Sequence, residues 1–185
     1  MILWPLGVVV TLRASRSRMK DDQEAGATRE GTAVAWSETR LVDVMERFPY
    51  SPTPAFLWGQ VAQRRGDWEE ALRRYQVAIK RDPKDARGYS GAAAALRALK
   101  RLDESDALLR RAEKRCRGAG ELQFEFASNA GMRKDWQEAA RRWAMYRQFR
   151  PNNKLGYEQG EIALRKAGQD EEADSLAADT VRRFS

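Results

Sequence analysis

The side chains that could do chemistry are few. Cys116 is the single cysteine, Glu69-Glu70 and Glu171-Glu172 are adjacent carboxylates, and Arg73-Arg74 and Arg141-Arg142 are adjacent guanidiniums. Histidine is absent, which removes Ser-His-Asp and Cys-His catalysis and every zinc site that depends on imidazole. A lone thiol at helical spacing reads as a small buried residue and leaves no internal disulfide. Acid pairs at a helix start favour the dipole, and arginine pairs on a second helix read as solvated surface. No Gly-rich phosphate loop, G-x-S-x-G or metal-ligand cluster occurs. These residues point away from an enzyme and from any cofactor or metal, and toward a binding protein.

Charge narrows the kind of partner. The chain carries 34 Lys and Arg, 26 of them arginine, against 27 Asp and Glu, for a net +7. Clustered arginine neutralises phosphates, so Arg-mediated nucleic-acid binding stands as one alternative, with a steep loss of affinity in salt as its signature. Against it, acids are interleaved with the bases along nearly the whole chain, and no RNP, C2H2 or helix-turn-helix pattern appears.

The elements that must position these groups are helices. Residues 1–32 read as an apolar segment, "MILWPLGVVVTL", a basic stretch, "RASRSRMK", and a polar linker. Twelve apolar residues rise only about 18 Å as a helix, short of a bilayer core near 30 Å. A truncated or misassigned start, a peripheral membrane anchor or a transit peptide would each look like this. From about Ala33, Val34, Leu41, Val44, Met45 and Phe48 recur at helical spacing up to Pro49, so 33–51 reads as one amphipathic helix, a half-repeat or cap.

From Pro52 a 34-residue ruler divides the rest into 52–85, 86–119, 120–153 and 154–185. "GDWEEALRRY" at 66–75 returns as "KDWQEAARRW" at 134–143, and the worn "RLDESDALL" at 101–109 lies halfway between. Ala71, Ser105, Ala139 and Ala173 are equivalent; Tyr75, Leu109, Trp143 and Ala177 follow four residues later; Pro83, Arg117 and Pro151 close the complete copies. Gly59, Ala93 and Ala127 are small where two helices must approach, and Glu161 breaks that rule, so the fourth copy must pack differently there or turn that face to solvent. Prolines stop the second helices, and Asp85 and Asn153 stand ready to cap the next ones. Trp68, Trp136 and Trp143 read as array core.

This resembles the tetratricopeptide repeat, whose W-x2-L-G-x2-Y, A-x3-F and P places hold Ala55, Trp58, Gly59 and Ala62, then Ala71 and Tyr75, then Pro83 in the first copy. The resemblance covers 52–185 and implies an all-α helix-turn-helix solenoid, a right-handed superhelix of about four repeats, whose concave groove binds extended or helical peptides. Projected onto the first helices, the groove has a row of Phe56, Ser90, Phe124 and Glu158. A second row is Gln60, Ala94, Ser128 and Ile162, and a third is Gln63, Arg97, Gly131 and Arg165, with Arg87 and Glu121 near the edge. The carboxylate clamp of chaperone-binding members is not matched: its places hold Phe56, Gln60, Gly91, Glu121 and Glu125, and two glutamates would repel a ligand carboxylate. The expected function is a cytoplasmic protein-interaction scaffold with a protein or peptide partner, and membrane association through residues 1–12 as the alternative location. Its rival is a regulatory or targeting arm, a fragment of a larger enzyme or envelope-polysaccharide assembly, because Phe184 and Ser185 end the chain with no further helix to cover the last pair.

Overall fold

The computed structural model describes residues 38–185; the readings made above for residues 1–37, including the first turn of the amphipathic helix, lie outside them. Among the described residues there are nine helices: α1 (Glu38–Arg47), α2 (Pro52–Arg64), α3 (Trp68–Arg81), α4 (Ala86–Ala98), α5 (Leu102–Arg115), α6 (Gly120–Arg133), α7 (Trp136–Phe149), α8 (Lys154–Lys166) and α9 (Asp170–Phe184). The first helices of the pairs begin at 52, 86, 120 and 154 and the second at 68, 102, 136 and 170, so each step is 34 residues.

The turns inside each pair explain the repeated "GDW" and "KDW". Gly66, Lys100, Lys134 and Gly168 occupy one register position and all have positive φ, between 61° and 75°. The amide of the next residue then donates five residues back, as Asp135 does to the Ala130 carbonyl at 3.0 Å, which ends the helix with a left-handed cap. Asp67 and Asp135 start the second helix by accepting from the amides of Glu70 and Glu138, both at 3.1 Å. Arg101 and Gln169 stand in that place in the other two copies and make no such side-chain bond. The caps foreseen at Asp85 and Asn153 form, accepting from the Arg87 and Leu155 amides.

Every helix packs on the one before it and the one after it, and α2 also touches α4, and α4 touches α6. First helices that approach one another define the inner side of a solenoid. The core runs as three linked clusters, around Tyr75 with Ala92 and Leu96, around Tyr89 with Leu109 and Phe126, and around Trp143 with Ala127 and Ala163. In each, a large residue from a second helix fills the seam between successive pairs, which removes apolar area from water that neither pair could bury alone. Leu41 of α1, 1% exposed, adds one core residue ahead of the first pair.

Space in the seams follows from the small residues. An added Cβ at Gly59 would lie 2.6 Å from the Tyr75 ring and one at Gly91 2.5 Å from it, so both glycines make room for that side chain. In the last copy the sizes are exchanged: Glu161 is large where Gly59 is small, and Ala177 is small where Tyr75 is large. Glu161 and Ala177 line one hollow, and Glu161 is half-exposed and paired to Arg165 at 3.1 Å. Of the two outcomes open for this residue, the altered packing is the observed one, around an open hollow.

The arginine pairs correct a sequence expectation. Arg73 and Arg141 are solvated, but Arg74 is buried, lies 4.3 Å from the Trp58 ring centroid and donates to the Trp58 carbonyl at 3.1 Å. Arg142 lies 4.0 Å from the Phe126 ring centroid and bonds Glu113, Gln123 and Glu138. A guanidinium stacked on an aromatic face and saturated with acceptors is packing material. Cys116 is buried, as its spacing suggested, and burial pushes its thiol pKa up.

Candidate functional site

Two grooves open on the inner side. The first, about 240 Å³, lies across α2, α4 and the start of α6, and brings together Phe56, Gln60, Gln63, Arg87, Ser90 and Glu121 from the sequence-derived set. Its wall also contains Ala94 of the same rows, and Tyr75, Gly91 and Glu125, which the row projection did not include. The second, about 300 Å³, lies between α6 and α8 and contains Ser128, Gly131 and Ile162 of the projected rows. Met132, Trp136, Trp143, Gln159 and Lys166 complete it.

The first groove has a polar surface over an aromatic shelf. Phe56 and Tyr75 stand 5.7 Å apart between ring centroids, and the Tyr75 hydroxyl donates to Gln63 Oε1; burial pushes the Tyr75 phenol up to about 12. The charges here are already partnered. Arg87 chelates Asp85, Nη2 to Oδ2 at 2.7 Å, which holds that carboxyl below its ordinary range, and its guanidinium lies 5.4 Å from the Phe56 centroid. Glu121 pairs with Arg150. Glu125, 4% exposed, accepts from Arg97 and from Ser90 Oγ, the latter at 2.8 Å. Arg97 is therefore turned to a buried carboxylate and does not line the groove.

The second groove differs in kind. Its floor is Trp143, Ala127, Ala139 and Ala163, all buried, and its rims are Met132 and Ile162, 42% and 43% exposed. Ser128 donates its hydroxyl to the Phe124 carbonyl at 2.8 Å. Lys166 Nζ sits 4.2 Å from the Trp136 ring centroid, within cation–π range. α6 and α8 pack less closely than the earlier pairs of first helices. The register position that is Gly91 in α4 and Glu125 in α6 is Gln159 in α8, so the tryptophan that replaces Tyr75 in this seam meets no glycine.

Besides Arg97, three projected residues lie in neither groove. Phe124 is half-buried against Trp143 and Tyr146, with centroids at 5.5 and 6.0 Å, and belongs to the packing of its pair. Glu158 pairs with Lys154 at 3.2 Å and lines the hollow beside α9. Arg165 is held by Glu161 at 3.1 Å and Asp174 at 2.8 Å. Trp143 is buried in the core as the sequence suggested and also floors the second groove, whose wall includes the partly exposed Trp136. Among the described residues no cluster of three or more His, Cys, Asp or Glu is arranged to hold a metal ion, and no helix is long and apolar enough to cross a membrane.

No protein-family model and no curated protein matches the chain. Solved structures do. A MamA protein superposes with a TM-score of 0.65 at 13% identity, over 90% of this chain and 85% of that one. YrrB, described as a TPR protein with an unusual peptide-binding site, gives 0.64 at 17% identity over 80% and 76%. TTC0263, a TPR protein of Thermus thermophilus, gives 0.67 at 15% identity over 80% and 81%. At such identities the likeness is one of fold, and that fold is the tetratricopeptide-repeat solenoid which the 34-residue register implies.

Proposed function

We propose that this chain, built on the tetratricopeptide-repeat fold, is a protein-interaction scaffold that holds an extended or helical peptide segment of a protein partner along its inner side. The observation that carries the reading is the convergence of Phe56, Gln60, Gln63 and Ser90, from two first helices, on one open groove. Amides that both donate and accept suit a peptide backbone, and an aromatic shelf suits its side chains. A chaperone-type terminal carboxylate is a poor ligand here, because Glu121 and Glu125 occupy the places where cations would be needed. One of the similar structures is itself described as having a peptide-binding site, which supports the same direction by analogy of fold.

The rival nucleic-acid reading is disfavoured by how the arginines are engaged. Arg87, Arg97, Arg133, Arg142, Arg150 and Arg165 each meet a carboxylate within the chain, a competitor that a phosphate would have to displace. The test is to pan a random twelve-residue display library over the full chain and measure enriched peptides by fluorescence anisotropy. Gln60→Lys should block the first groove and Ile162→Asp the second, and at least one of them should weaken each peptide about tenfold. Peptides indifferent to both substitutions, or no enrichment at all, would overturn the scaffold reading.

A further inference from the structure

We propose that the groove between α6 and α8 takes one bulky apolar side chain from an acidic segment of the partner, with Lys166 pairing a carboxylate beside that side chain. This rests on the scaffold reading and goes further by fixing the chemistry of the occupant. Met132 and Ile162 are large apolar residues left more than two-fifths exposed on facing helices, with the Trp143 ring as floor between them. Exposed apolar surface gathered around a concavity marks a docking place. At about 300 Å³ the space is at the small end of ligand cavities, roughly 300–1,000 Å³, and suits a single large side chain.

Charge decides the rest of the occupant. Among the described residues no carboxylate lines this groove, and Lys166 is its one formal charge. The arginines that the sequence placed along the inner side each carry their own acid: Arg87 has Asp85, Arg97 has Glu125 and Arg165 has Asp174. Lys166 instead rests on the Trp136 ring and makes no ion pair among the described residues. An ammonium at the rim of an apolar site, partly sheltered by a ring face, gains most from a carboxylate delivered with the ligand and loses from a cation. The first groove offers amides and neutralised acids, so it has no such preference.

The library described above reads this directly. Peptides enriched on the full chain should carry Phe, Trp, Leu or Met with Asp or Glu within two positions. Lys166→Glu should weaken them about fivefold and should strengthen versions whose acid is replaced by lysine. Ile162→Asp should weaken them about tenfold, and Met132→Glu gives a second variant in case the first disturbs packing, with circular dichroism reporting helicity for each. Peptides that bind, lose affinity with Gln60→Lys, and ignore Lys166 and Ile162 would overturn this assignment and leave the scaffold reading standing. Enriched peptides that are basic around their apolar residue would overturn it as well. An absence of any enriched peptide would overturn both.

Discussion

The seam between the second and third repeats and the seam between the third and fourth are built on one plan and end in opposite states. In the former, α4 and α6 touch and are stitched by polar groups: Glu125 takes Arg97 and Ser90, and Asn129 Nδ2 donates to Ser105 Oγ and Asp106 Oδ1, both at 2.8 Å. Arg133 extends the stitch to Asp106 at 2.6 Å. In the latter, Trp143 stands edge-on to Phe124 and Tyr146 of its own repeat, with centroids at 5.5 and 5.6 Å, and the first helices pack less closely. The closed seam buries its apolar cluster of Tyr89, Leu109 and Phe126 beneath these polar bridges. The open aromatic one leaves Met132 and Ile162 exposed beside Trp143, which is the surface the proposed docking of an apolar side chain would cover, whereas the polar bridges couple the second repeat to the third.

The largest effect should come from emptying the open seam. Trp143→Ala should cost about 4 kcal/mol in urea unfolding, and because repeat arrays lose stability locally, hydrogen exchange should rise in α8 and α9 before α2 and α3. Breaking the stitched seam should cost less. Glu125→Ala strands Arg97 and should cost about 3 kcal/mol, whereas the double variant Glu125→Leu, Arg97→Met should recover most of that loss, since a buried pair replaced by apolar groups is far less costly than one partner left alone. A smaller change would make the first seam resemble the open one: Gly91→Ala pushes a Cβ to 2.5 Å from the Tyr75 ring and should cost about 2 kcal/mol by overpacking. Smallest, and opposite in sign, Lys134→Gly should stabilise by about 1 kcal/mol, because Lys134 sits at φ 61°, where glycine carries no Cβ penalty.

Much of this could be read from residue spacing. The 34-residue register gave helix pairs because Ala71, Ala139 and Tyr75 recur where two helices must meet, and small-then-large is a packing constraint written locally. The first groove was legible for the same reason: Phe56, Gln60, Gln63 and Ser90 follow from helical periodicity and one repeat step. What escaped depends on partners distant in the chain. The burial of Arg74 needs Trp58, sixteen residues earlier, and the role of Arg97 needs Glu125, twenty-eight residues later. The open groove of the last seam brings Gln159 together with Trp143 from another helix, a pairing of two positions that no single-helix pattern contains. Lys166 over Trp136 joins the start of one second helix to the end of the next first helix, so neither residue signals the other.

The measurement that bears most directly on the central claim is a titration of the ¹⁵N-labelled full chain with the tightest library-selected peptide, followed by proton–nitrogen correlation spectra. The account predicts that the indole resonances of Trp136 and Trp143 and the amides of Met132 and Ile162 move together with peptide, while the indole of Trp68, in the first repeat, stays in place. Shifts confined to the outer faces of α7 and α9, or a moving Trp68 with Trp136 and Trp143 unmoved, would contradict it.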